Sequence, residues 1–138
     1  MRKRTQAWEF AMQILYQIDI TKDNCEVSLE SFWQAHVGES IDEQVKEFTA
    51  ELVRGALDNA AAIDSKLVAY AANWQLERMT VVDRNVLRLS CYELMFRKDI
   101  PQKVSINEAI DLAKKYSGPE AGKFVNGILD KIKSDEIR

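Results

Sequence analysis

Cysteine is scarce in this chain. Cys25 and Cys91 stand alone among 138 residues and form no C-x-x-C pair, which argues against a disulfide framework or a zinc site and leaves both as small apolar residues. The single histidine, His36, has no Ser, Cys or carboxylate at a spacing that would make it a general base. Neither a G-x-G-x-x-G stretch nor a phosphate loop is present. No apolar run approaches the roughly 20 residues needed to span a bilayer, and the basic start MRKRTQ leads into an amphipathic helix, not a signal-peptide core. A cytoplasmic protein with no catalytic residues, metal or cofactor is expected. Only two prolines and five glycines accompany 30% charged residues, and such sparing use of turn formers favours helices over a many-stranded β fold.

The length fits one domain, which at this size can bury roughly 68–70% of the surface that its unfolded form exposes. Net charge is −3 and the isoelectric point near 5.3. The global field therefore gives no support to a stand-alone, non-specific nucleic-acid binder, and RNA affinity would have to come from a local patch.

Apolar spacing predicts an all-α chain. Ala7, Ala11, Ile14, Leu15 and Ile18 make one stripe of a helix over about residues 5–20, widened by Trp8, Phe10 and Met12. Residues 21–27 read as a connection and 28–35 as a short helix with Leu29, Phe32 and Trp33. Three capping boxes are candidates, Ser40 with Glu43, Thr80 with Asp83, and Ser105 with Glu108. The first opens a pattern from Ile41 through Val45, Phe48, Leu52, Ala56, Ala60 and Ile63 to Leu67, one long helix or two with a bend. Residues 73–79 read as an irregular or short helical link. The Thr80 helix should end near Asp99, because Pro101 disfavours a helical residue before it, and Gly118–Pro119 separates the last two helices.

Basic residues supply the candidate chemistry. Arg2, Lys3 and Arg4 form an arm before the first helix, a mobile cation cluster able to settle on phosphates, or simply a solvated chain start. Arg84 and Arg88 lie four apart on one helical face with Asp83 beside the first. A guanidinium there can pair with phosphate and stack on a base, although Arg88 can equally pair with Asp83 or Glu108. Lys114, Lys115 and Lys123 bracket the 116–122 turn, where the first two also suit a helix C-terminus.

The segments NW, LERM, VDR, LRL and YEL between Asn73 and Leu94, with AMQILYQ (11–17), INEAIDLAKK (106–115) and KFVNGILDKI (123–132), occur in an order that resembles the NusB family of transcription antitermination factors. The resemblance implies two packed antiparallel three-helix bundles in one compact domain, divided at about residues 72/73. It also implies binding of single-stranded boxA RNA together with NusE, a ribosomal small-subunit protein, within an RNA polymerase antitermination complex that promotes transcription of ribosomal RNA operons. Onto this sequence it places RNA contacts at Arg2, Lys3, Arg4, Tyr16, Asp83, Arg84, Arg88, Lys123 and Phe124, and a protein-partner contact at Glu120. From periodicity alone Tyr16 and Phe124 read as core. The chain departs from the pattern at Trp8, where the family often has arginine. The same fold serves as an appendage of a ribosomal-RNA cytosine methyltransferase, but no cofactor-binding glycine motif accompanies it here. A protein-interaction module of this fold with no RNA role is the alternative, and the sequence leaves monomer and homodimer both open.

Overall fold

The computed structural model describes residues 2–71 and 75–136. Among them are seven α-helices, one 3-10 turn and no strand, in agreement with the all-α expectation. The helices gather into two compact units, residues 1–58 and 59–138.

The first unit holds α1 (Lys3–Thr21), α2 (Cys25–Ala35) and α3 (Glu43–Asp58). Ala7, Trp8, Ala11, Met12, Ile14 and Leu15 turn the apolar stripe of α1 inward, and α1 packs on both α2 and α3. Trp8, with 0% exposure, is a core residue. Lys22 stops α1 in the left-handed region at φ 63°, donating its N–H to the Ile18 carbonyl at 2.7 Å. The Asn24 side chain then accepts from the N–H groups of Glu26 and Val27, so α2 begins at Cys25, ahead of the expected start at Ser28. Likewise the start of α3 is held by Asp42, whose carboxylate accepts from the Gln44 N–H at 2.7 Å, and not by Ser40. His36 is structural: its Nδ1 lies 2.8 Å from the Phe32 carbonyl oxygen, and its ring packs against Phe10 and Phe32.

The long apolar pattern beginning at Ile41 is indeed two helices. Asn59, at φ −111° and ψ 20°, breaks it. Beyond it come α4 (Ala60–Tyr70), a 3-10 turn (Leu76–Arg78), α5 (Val81–Phe96), α6 (Gln102–Ser117) and α7 (Pro119–Asp135). The units therefore divide at 58/59 and not near 72/73: Ile63 and Leu67 are fully buried and α4 packs on α5 and α7. The expected link at 73–79 is a 3-10 turn where described, while Asn73 and Trp74 lie outside the described residues.

Thr80 caps α5 as its sequence predicts, accepting from the Asp83 N–H at 3.0 Å. Packed by α4, α6 and α7, α5 buries ten of its sixteen residues. The third capping box is not formed. Helix α6 begins at Gln102 behind Pro101, so Ser105 lies inside the helix, fully buried and 2.9 Å from the Ser90 hydroxyl. Gly118 adopts φ 96°, a conformation that favours glycine, and Pro119 opens α7. Cys91 is fully buried, its thiol pushed up to about 12 by desolvation, whereas Cys25 is only partly covered.

Two substitutions separate capping from packing. Thr80→Ala should cost about 1 kcal/mol of stability, and Leu94→Ala, at a fully buried position, about 2–5 kcal/mol. Urea titrations would check both, and a smaller loss for Leu94→Ala than for Thr80→Ala would contradict the packing around α5.

Candidate nucleic-acid interface

The basic start of the chain is not a mobile arm. Lys3 and Arg4 belong to the first turn of α1, and Arg2 is its N-cap. Lys3 Nζ reaches the Asp42 carboxylate at 3.1 Å and the Gln44 side-chain oxygen at 2.8 Å. Arg4 lies over the Phe48 ring, its guanidinium carbon 5.4 Å from the centroid. These partners fix the helix start while leaving Arg2 and Lys3 exposed. Tyr16 is 40% exposed, contrary to its periodicity-based reading as core. It sits fourteen residues beyond Arg2, roughly 20 Å along the axis, so this unit offers two separate features and not one cluster.

In the second unit, α5 and the α6–α7 turn create a cleft of about 320 Å³. Arg78, Thr80 and Asp83 line one part of it, and Ser117, Glu120 and Phe124 another. The expected residues Asp83, Glu120 and Phe124 are thus brought to one hollow. Asp83 is 7% exposed, and its carboxylate takes hydrogen bonds from Ser117 and Thr80. Its Oδ1 is buried without a hydrogen-bond partner. Burial pushes the Asp83 carboxyl above its ordinary range, and the two hydroxyl bonds only partly offset that rise. A low-exposure carboxylate facing a cleft with an open acceptor position is suited to a donor such as a nucleobase amino group.

Around this hollow the charges differ in availability. Lys123 Nζ and Glu120 are 3.4 Å apart, but both side chains are largely exposed, so their pairing contributes little and leaves both able to meet a ligand. Glu120 also occupies the first turn of α7, where a carboxylate suits the helix dipole. Arg84 follows Asp83 in the first turns of α5 and is partly exposed. Arg88 is different. Its guanidinium grips Asp64 of α4 in a two-pronged pair, Nε–Oδ1 2.9 Å and Nη2–Oδ2 3.2 Å, and donates to the Asn85 side chain at 3.2 Å. Through this pair with Asp64, Arg88 joins α4 to α5.

The three lysines around the turn are held separately. The aliphatic stem of Lys114 crosses Gly122, where a Cβ would lie 2.7 Å from Lys114 Cγ. Lys115 Nζ sits 5.5 Å from the Tyr116 ring centroid. Arg78 and Ser117 had not been singled out in the sequence. Arg78 was visible only as part of LERM, and nothing local marks Ser117, because its bond to Asp83 joins α6 to α5.

Since the folded-state pKa of Asp83 exceeds its unfolded value, its ionised form opposes folding. The related stability is fully present below the unfolded pKa and is lost as pH rises through the folded pKa. Asp83→Asn should therefore raise the urea midpoint at pH 7, and the gain should shrink at acid pH as wild-type Asp83 protonates. A gain that does not change with pH would contradict this account of Asp83.

The NusB family model matches residues 5–134. Transcription antitermination protein NusB of Anaeromyxobacter dehalogenans is 46% identical over 132 residues, covering 96% of this chain and 91% of that protein. Solved NusB from T. maritima superposes with TM-score 0.87 at 38% identity, covering 100% of this chain and 94% of that one. A chain in the crystal structure of antitermination factors NusB and NusE in complex with dsRNA gives TM-score 0.84 at 31% identity, with 98% of both chains covered. Full-length similarity in sequence and in fold, with the cleft residues falling inside the matched span, establishes that the chain belongs to the NusB family.

Proposed function

We propose that this chain is a cytoplasmic transcription antitermination factor that binds boxA RNA together with NusE in the RNA polymerase antitermination complex that promotes transcription of ribosomal RNA operons. It performs no catalysis. The observation that carries the reading is the cleft of the second unit. It places a buried carboxylate with an open acceptor, the half-buried ring of Phe124 and flanking cations at Arg78 and Lys123 around one hollow. Stacking on an aromatic ring is worth about 1–3 kcal/mol per base, and the carboxylate adds discrimination by hydrogen bonding. In the first unit Lys3, held by Asp42 and Gln44, and Arg4, held over Phe48, offer phosphate contacts together with the exposed N-cap residue Arg2, and need no ordering of an arm on binding. Tyr16 is a further exposed ring for stacking, and Glu120 is a contact for the protein partner.

With net charge −3, a few phosphate contacts give modest affinity, falling with salt at a log–log slope of about −0.7 per phosphate neutralised on a single strand. A joint complex with NusE raises affinity because the second protein brings its own RNA contacts to the same strand. The pairing of Arg88 with Asp64 removes one cation from the expected set, and this favours the second reading, a protein-interaction module with no RNA role.

Fluorescence anisotropy of labelled boxA RNA, with and without NusE, at two salt concentrations and against a scrambled RNA, separates the readings. Selective, salt-sensitive binding tightened by NusE is expected; absence of selective binding under both conditions would leave the interaction module. Arg84→Glu should weaken binding about tenfold or more, while Lys103→Glu, at the opposite end of α6 from the cleft, should act only through bulk charge. Equal losses from the two would remove Arg84 from the site.

A further inference from the structure

A second hollow of about 230 Å³ runs along α7 beside the end of α4. Lys123, Phe124, Gly127, Ile128 and Lys131 line it from α7, recurring at three and four residues, so they form one helical face. Tyr70 closes the α4 side.

The charge of this groove has one sign. Its charged lining residues are Lys123 and Lys131, and no carboxylate lines it. Lys131 makes no ion pair among the described residues. Asp135, one turn beyond, is held by Lys66 Nζ at 2.7 Å and by Tyr70, and so is already neutralised. Between the two lysines, on the same ridge, lies Gly127. It is exposed, and a Cβ there would meet nothing within 4 Å. Packing within the unit therefore gives no reason for glycine, although glycine weakens a helix interior relative to alanine. The result is a flat floor between two cations about 12 Å apart along the helix axis. Phe124 lines both this groove and the Asp83 cleft, making the two hollows continuous at one ring.

We propose that this groove carries a second segment of the same RNA strand, with Lys123 and Lys131 on phosphates and a nucleoside lying over Gly127. The inference rests on the RNA reading of the neighbouring cleft. Single-stranded RNA fits this groove's chemistry because its anionic backbone matches the two lysines and its flat, unpaired bases match a floor without side chains. Gly127 provides the clearance, Lys131 the far phosphate contact, and Tyr70 borders the ligand while it holds Asp135.

Anisotropy titrations over a salt series test this with wild type, Lys131→Ala, Gly127→Ala and Gly127→Gln, using boxA RNA and the same RNA trimmed stepwise from each end. Lys131→Ala should make the salt slope about 0.7 less steep, as loss of one phosphate contact on a single strand requires. Trimming from one end should weaken wild type but leave Lys131→Ala nearly unaffected. Gly127→Gln should weaken binding about fivefold by occupying the floor, while thermal melts of Gly127→Ala and Gly127→Gln show midpoints at or above wild type. If wild type binds and Arg84→Glu weakens it, but the groove variants match wild type in affinity and slope, the groove inference fails and the cleft reading stands. Unchanged RNA affinity with weakened NusE capture would overturn it in favour of a protein face. No RNA binding by wild type, alone or with NusE, would overturn both.

Discussion

The burial of α5 on nearly every side is the constraint on which the second unit depends. Ten of its sixteen residues are buried, polar ones among them, because α4, α6 and α7 all pack against it. A helix so enclosed can present functional side chains only near an end. At its N-terminal end Thr80 fixes the first turn and Asp83 faces the cleft. Deeper in, even charged and hydroxyl side chains serve packing: Arg88 joins Asp64, and Ser90 meets Ser105. Site and core are therefore successive turns of one helix, and the transition between them falls between Arg84 and Arg88.

The acidic balance of the chain shapes how its cations are used. Ion pairs hold Lys3, Arg54, Lys66 and Arg88 to carboxylates of their own units. In the second unit the residues left facing solvent around the cleft and groove include Lys123 and Lys131 of α7. A polyanion meeting such a protein finds local attraction against a weakly repulsive whole, and this favours selective over general binding. Asp83 acts in the same direction, since a buried carboxylate oxygen without a hydrogen-bond partner penalises any ligand that brings no donor to meet it.

Much of this architecture was legible in the sequence, and the failures share a cause. Apolar periodicity identifies the core face of α1, Thr80 the start of α5, and Gly118–Pro119 the turn between α6 and α7. Of three capping boxes, only the one at Thr80 forms. Ser-x-x-Glu can also fall before a helix, as at Ser40, or inside one, as at Ser105, and the pattern does not register that Asp42 or Pro101 sets the true start. The pairing of Arg88 with Asp64 joins α5 to α4, a contact that spacing along one helix does not show. The basic arm was read as mobile because nothing near it in sequence reveals Asp42 or Phe48. The exposure of Tyr16 and the two roles of Phe124 depend likewise on which helices pack beside them.

The central claim is that RNA meets the second unit at the α5 start and the α6–α7 turn. An amide chemical-shift titration of isotopically labelled protein with boxA RNA, in the presence of unlabelled NusE, tests it most directly when the same titration with NusE alone is subtracted. The account predicts RNA-dependent shifts concentrated at residues 78–84 and 117–131, with the centre of α5 around Leu89 undisturbed. RNA-dependent shifts confined to other surfaces, or none at all, would contradict it.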